Sequence, residues 1–286
     1  MKKVFQRLLV FFIGLPLLIV ILICLPWLNH LAFSIVVLTV SVLGALEMQN
    51  ILKQKGLLIP VPEAAIIGSL GPVFAILQVN LGLDRDLAVL FFCLGAAWVL
   101  FSRAFSPHDK LDGYINYSAA GLTVLIYPGF LMGWIIRMGL FPHAGITILV
   151  YLLISFLNDS AAWAAGMLFG KNNRGIVAAS PNKSVAGFIG GAAVSTIIGI
   201  GACYVFPGVF GSSVIPAPLA GALLGLACGT AATLGDLGES AIKRSAKVKD
   251  SGNLIPGRGG MLDSIDSLAL AAPVYYLVFS LLFVRS

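Results

Sequence analysis

The stretch Gly235–Ser267 reads GDLGESAIKRSAKVKDSGNLIPGRGGMLDSIDS and gathers the reactive side chains of an otherwise apolar chain. Asp236, Glu239, Asp250, Asp263 and Asp266 are interleaved with Lys243, Arg244, Lys247, Lys249 and Arg258, and glycines crowd the span from Gly252 to Gly260. Carboxylates, cations and pliant backbone together are what a site for phosphate and a hard cation requires. If the helix ending near Gly235 continues outward through GESAIKR, Asp236, Glu239 or Ser240, and Lys243 share one face. Asp263 and Asp266 share a face of the next helix, and consecutive antiparallel helices would bring the two ends together. Mg²⁺ binds through one or two carboxylates plus substrate phosphates and keeps waters. Such a centre supports in-line displacement at phosphorus. The plainer reading has Asp263 and Asp266 only charge-stabilising a helix start. Gly257, Gly259 and Gly260 would let amides approach a phosphate closely, and Arg258 among them could clamp phosphate oxygens. The plainer reading there is an ordinary turn.

A second polar group lies upstream. YLLISFLNDSAAWAAGMLFG places Asn158, Asp159 and Ser160 near the middle of an apolar segment. An acid inside a membrane is expensive and is a functional candidate by default, against the alternative of a hydrogen-bonded structural Asp. The following GKNNRGIVAASPNKS brings Lys171, Arg174 and Lys183, with Ser184 at the start of the next helix, where free amides favour an anion. Glu47 is expected to meet the interface or a neighbouring helix. His30, His108 and His143 do not cluster in sequence, which argues against zinc. Neither a GxxxxGK[ST] loop nor a GxSxG elbow is present.

The elements that must position these residues are membrane helices. The 286-residue chain is 59% hydrophobic and only 10% charged, with mean hydropathy +0.99, whereas soluble domains carry about 25% charged residues. Nine apolar segments are expected, at 8–28, 31–52, 57–80, 86–103, 115–137, 144–169, 185–206, 216–235 and 266–284. The fold class is therefore an all-α integral membrane protein, with the polar loop between the last two helices. With a cytoplasmic N-terminus and alternating segments, 15 of the 18 Lys and Arg fall on the cytoplasmic side, as the positive-inside rule demands. Only Arg85, Arg137 and Arg285 fall on the other, and one helix more or fewer before residue 170 would reverse the basic loop. The net charge of +6 is thus a topological signal rather than a nucleic-acid footprint, and it favours anionic headgroups. The first apolar run is longer than a signal-peptide core and reads as a retained helix. Cys24, Cys93, Cys203 and Cys228 lack metal spacing and read as lipid-facing or packed small residues.

The C-terminal SAIKRSAKVKDSGNLIPGRGGMLDSID resembles the signature of the phosphatidate cytidylyltransferases (CDP-diacylglycerol synthases), of bacterial type. Gly235-Asp236, NDSAAWAAGMLFGK and SPNKSVAGFIGG fit the same family, so the resemblance spans about residues 155–284. It implies transfer of the cytidylyl group of CTP to phosphatidic acid in phospholipid biosynthesis, with pyrophosphate released. Asp236, Asp263 and Lys243 would be catalytic, and the two acids would hold Mg²⁺, with room for a second cation. Lys183, Ser184, Arg244, Lys249, Asp250, Arg258, Gly259, Gly260, Asp159 and Asp266 would bind substrate. Residues 1–140 would anchor the protein and enclose lipid. Residues 141–286 would carry catalysis, with cytoplasmic loops at 170–184 and 236–266, in a multi-pass protein of the inner membrane, and the resemblance suggests a homodimer. The sequence departs from the family where Arg258 replaces His, Ser264 replaces Arg and Ala186 replaces Glu or another polar residue, so Arg258 is expected to supply the cation that position 264 lacks. Competing readings are a CTP-dependent polyprenol or lipid kinase, CTP transfer to another lipid phosphate, and a transporter. The transporter should place polarity at mid-membrane in paired halves, and this chain does not.

Overall fold

A computed structural model describes residues 14, 16–84, 86–104, 111–257 and 259–283. The described residues are helices and loops, with two isolated antiparallel bridges, Arg174–Ser184 and Ile255–Gly259. After a helical stretch at 16–24 (α1) come α2 (Trp27–Lys53), α3 (Val61–Leu81), α4 (Asp86–Phe101) and α5 (Tyr114–Val124). A π-helical turn, Leu125–Phe130, then joins α6 (Leu131–Arg137). The chain continues through α7 (Ala144–Phe169), α8 (Val185–Val205), the short α9 (Pro207–Phe210), α10 (Ala217–Ser245) and α11 (Leu262–Leu282). Among the described residues, seven helices are long and apolar enough to cross a membrane, counting 114–140 as one span, and Asp86–Phe101 is a shorter apolar helix.

Helices α2 to α11 coincide with the last eight of the expected segments, and of the first, 8–28, the described residues are 14 and 16–28, with α1 at 16–24. The boundaries that moved did so for local reasons. The α10 helix runs past Gly235 to Ser245, as the face shared by Asp236, Ser240 and Lys243 requires. The α11 helix begins at Leu262, four residues before the expected start, with Asp263 in its first turn, where a carboxylate favours the helix dipole. One internal proline coincides with an irregular stretch. Pro128, which has no N–H to donate, sits inside the π turn, and Ser41 donates its hydroxyl toward the Pro128 carbonyl.

Contacts divide the chain into two units. One comprises Met1–Arg137 with Ile242–Ile265, the other Met138–Ala241 with Asp266–Ser286. In the first, α3 packs on α2 and on the π turn through glycines. A Cβ at Gly68 would strike Ala45, and one at Gly71 would meet the backbone of Gly129 and Phe130. In the second, α8 crosses α10 along small residues. A Cβ at Gly199 would run into the Gly221 carbonyl, and one at Gly225 into the Ser195 carbonyl. Close backbone approach of this kind is how helices associate in lipid, where burial of apolar surface offers little. Tyr151 and Tyr275 are buried in the same unit and donate to the carbonyls of Leu268 and Thr147.

Candidate active site

In the second unit the α7 helix carries two neighbouring polar residues with different surroundings. Asn158 is 1% exposed. Its amide donates to Thr233 Oγ1 at 3.1 Å, and its carbonyl oxygen accepts from Ser195 Oγ at 3.1 Å. It therefore ties α7 to α8 and α10. Asp159, one residue on, lines a cavity of about 400 Å³, within the usual size range of small-molecule sites.

The lining of that cavity includes the charged Asp159, Arg174, Lys183 and Asp236 and the apolar Trp163, Met167 and Phe188. The loop 171–184 delivers the cation. Ser184 caps α8 by accepting from Gly187 N at 3.0 Å, the expected helix start. Lys183, one residue earlier, meets Asp236 Oδ2 at 2.7 Å. Ser240 donates to the other oxygen of Asp236 at 3.4 Å, one helical turn along. Asp266 is buried, and its Oδ1 accepts from Ser267 N at 2.6 Å.

The first unit holds the other conspicuous acid. Asp263 Oδ1 meets Lys243 Nζ at 2.5 Å. Its Oδ2 accepts from Ser251 N at 2.9 Å, Ser251 Oγ at 2.9 Å and Gly260 N at 2.7 Å. Gly259 explains how the backbone gets there. Its φ is +119°, and a Cβ on it would sit 2.5 Å from Asp263 Oδ2, so only glycine fits. The glycine-rich turn does cradle an anion, and in this structure the anion is the protein's own carboxylate. Gly259 N donates to the Ile255 carbonyl at 3.0 Å.

Of the remaining sequence candidates, Arg244 donates to the Val248 carbonyl at 3.1 Å, and Lys249 and Asp250 are exposed. Ser264 donates to the Gly260 carbonyl at 3.4 Å. Arg258 lies outside the described residues, and with it the expectation that it compensates for Ser264. Asp236 and Lys183 fall in one unit and Asp263 and Lys243 in the other, each acid with its own lysine.

Sequence reasoning underrated Glu47. This acid of α2 accepts from Met261 N at 2.9 Å, Leu262 N at 2.8 Å and Ser251 Oγ at 2.9 Å. The available signal was a lone carboxylate in a long apolar helix, which is costly unless partnered.

The chemistry of these donors admits a hard cation. Among the described residues, no three His, Cys, Asp or Glu side chains form a ready metal cluster. A cation on Asp236 or Asp263 would therefore take few protein ligands and complete its shell with water and phosphate oxygens, as Mg²⁺ does.

The fold and these pairs define an all-helical, multi-pass membrane protein whose last two long helices each carry an aspartate paired with a lysine. The chain belongs to the cytidylyltransferase family, whose model matches residues 5–282. It is 31% identical over 309 aligned residues to a phosphatidate cytidylyltransferase of Synechocystis, covering 97% of each chain. It is also 31% identical to a phosphatidate cytidylyltransferase of Chlamydia pneumoniae, covering 96% of this chain and 91% of that one. An uncharacterised Escherichia coli protein, YnbB, is 36% identical over 67% of this chain and 63% of its own length.

Proposed function

We propose that this protein transfers the cytidylyl group of CTP to phosphatidic acid, giving CDP-diacylglycerol and pyrophosphate for phospholipid biosynthesis. An oxygen of the lipid phosphate attacks the α-phosphorus of CTP. The new P–O bond forms there while the bond from the α-phosphorus to the bridging oxygen breaks, and pyrophosphate leaves with that electron pair. The attacking oxygen is already anionic, so no strong base is needed, and catalysis rests on positioning and on offsetting charge. Lys183, Lys243, Arg244 and Lys249 would face the triphosphate and lipid phosphate. Asp236 and Asp263 would hold Mg²⁺, which supplies charge neutralisation at the transferring phosphorus.

The observation that carries this reading is the cavity in which the Lys183–Asp236 pair and Asp159 stand beside Trp163, Met167 and Phe188, in a chain of this family. A lining that combines charged and apolar side chains suits a phosphate attached to acyl chains. The reading includes nine spans, a cytoplasmic N-terminus, a site facing the cytoplasm of the inner membrane, and a homodimer.

Purified protein in detergent micelles, given CTP, Mg²⁺ and phosphatidic acid, should produce pyrophosphate and CDP-diacylglycerol together. Asp263→Asn should abolish both. Release of CDP with phosphorylation of a lipid alcohol would replace the reading with a lipid kinase.

A further inference from the structure

We propose that Glu47 is a positioning residue for this reaction. It holds the loop from Ser251 to Leu262 in place and, through the Ser251 hydroxyl, orients the Asp263 carboxylate. The inference rests on the reaction read above and deepens it.

Glu47 reaches partners 204, 214 and 215 residues away in sequence. Two of them, Met261 N and Leu262 N, are the amides on which α11 opens, so a carboxylate from α2 caps the helix that carries Asp263 one residue later. Such amides have no partner within their own helix, and a negative group there also suits the helix dipole. Two glycines clear the path. A Cβ at Gly252 would come within 2.6 Å of Glu47 Oε1, and one at Gly260 would strike both Glu47 Oε2 and Ser251 Oγ.

Ser251 links the two carboxylates. Its Oγ stands 2.9 Å from Glu47 Oε2 and 2.9 Å from Asp263 Oδ2, yet a hydroxyl has a single proton to give. The same oxygen accepts from Asp263 N at 3.3 Å. The two acids therefore share one donor. Removing Glu47 frees the Met261 and Leu262 amides and leaves the hydroxyl wholly to Asp263, which changes the hydrogen bonding of a carboxylate assigned to the reaction. Glu47 does this from behind the loop, without touching substrate.

The test uses the full-length protein in detergent micelles with CTP, Mg²⁺ and phosphatidic acid, and the variants Glu47→Gln, Glu47→Asp, Ser251→Ala and Glu47→Gln/Ser251→Ala. Gln keeps the shape but presents an N–H₂ donor to groups that are themselves donors. Glu47→Gln should elute and unfold as the wild type does, while kcat falls about 10- to 100-fold, as for other partners that orient a reacting carboxylate, with KM for both substrates little changed. Glu47→Asp should recover part of the loss. The double variant should be no slower than the slower single, because both act along one path. Amide exchange at 251 and 260–262 should quicken in Glu47→Gln. Wild-type kcat in folded Glu47→Gln overturns the proposal, and so does a loss confined to folded yield. If Glu47→Gln does not fold, Ser251→Ala and Glu47→Asp decide by the same kcat criterion. If the wild type makes no CDP-diacylglycerol, the reaction reading fails separately. Exchange then decides for Glu47, and unchanged protection at 260–262 overturns it.

Discussion

Lys183 and Lys243 each hold an aspartate, but at different depths, and the two pairs should behave differently. In Lys243–Asp263 the side chains are 9% and 8% exposed, against 24% and 28% in Lys183–Asp236. Removing one partner of an enclosed pair strands a buried charge and costs about 3–5 kcal/mol. The three further donors on Asp263 should keep Lys243→Met near the lower end. Lys183→Met, in the wetter pair, should cost no more than about 1 kcal/mol. Both should lose most turnover. Thermal unfolding in detergent micelles alongside activity separates the two effects, and equal destabilisation would refute the argument from depth. Residues such as Lys183, Ser184, Asp236 and Asp263 were legible in the sequence because polar side chains stand out in an apolar chain and follow a familiar order. Glu47 was not, because every partner it has lies more than 200 positions away. Asn158 was overshadowed by its charged neighbour, although the neutral amide is the one that joins three helices.

Along α8, Gly191, Ser195 and Gly199 recur every four residues, and along α10 so do Gly221, Gly225 and Gly229. The two rows interlock. Gly229 closes on the Ser195 side chain, Gly225 on the Ser195 carbonyl and Gly199 on Gly221. Gly225→Val should force the helices apart and lower the unfolding temperature by more than an ordinary overpacked core, which costs about 1–3 kcal/mol, because backbone rather than a side-chain tip must move. Gly201, also in α8, has nothing within 4 Å of its Cβ position. Gly201→Ala should be neutral or should gain up to about 1 kcal/mol in helix propensity. A melting comparison of the two variants tests whether the rows matter or glycine content alone does. The abundance of glycine was plain in the composition, as was the helical class from hydropathy. Which glycines face which could not be read, since a spacing of four marks a face without saying what lies against it. The early start of α11 was missed for a related reason. The polar Asp263 looks like loop, yet an acid in a first turn is where a helix tolerates it best.

For the molecule as a whole, the distribution of basic residues makes a prediction that does not depend on activity. Asn253, exposed in the loop between α10 and α11, should lie on the cytoplasmic side. With Cys24 and Cys93, the two exposed cysteines, replaced by Ser, Asn253→Cys should react with an impermeant maleimide in inside-out vesicles and resist it in intact spheroplasts. The opposite pattern would invert the topology. The recognisable motifs all lie beyond residue 155, which makes the second half of the gene look like a self-sufficient catalytic module. The capping of α11 by Glu47 argues that the gene cannot be divided there. A fragment starting at residue 141 would keep every motif and lose the acceptor that seats the Ser251–Leu262 loop. Complementation by a separately expressed first half, rather than activity in the second half alone, is what such a cut should yield.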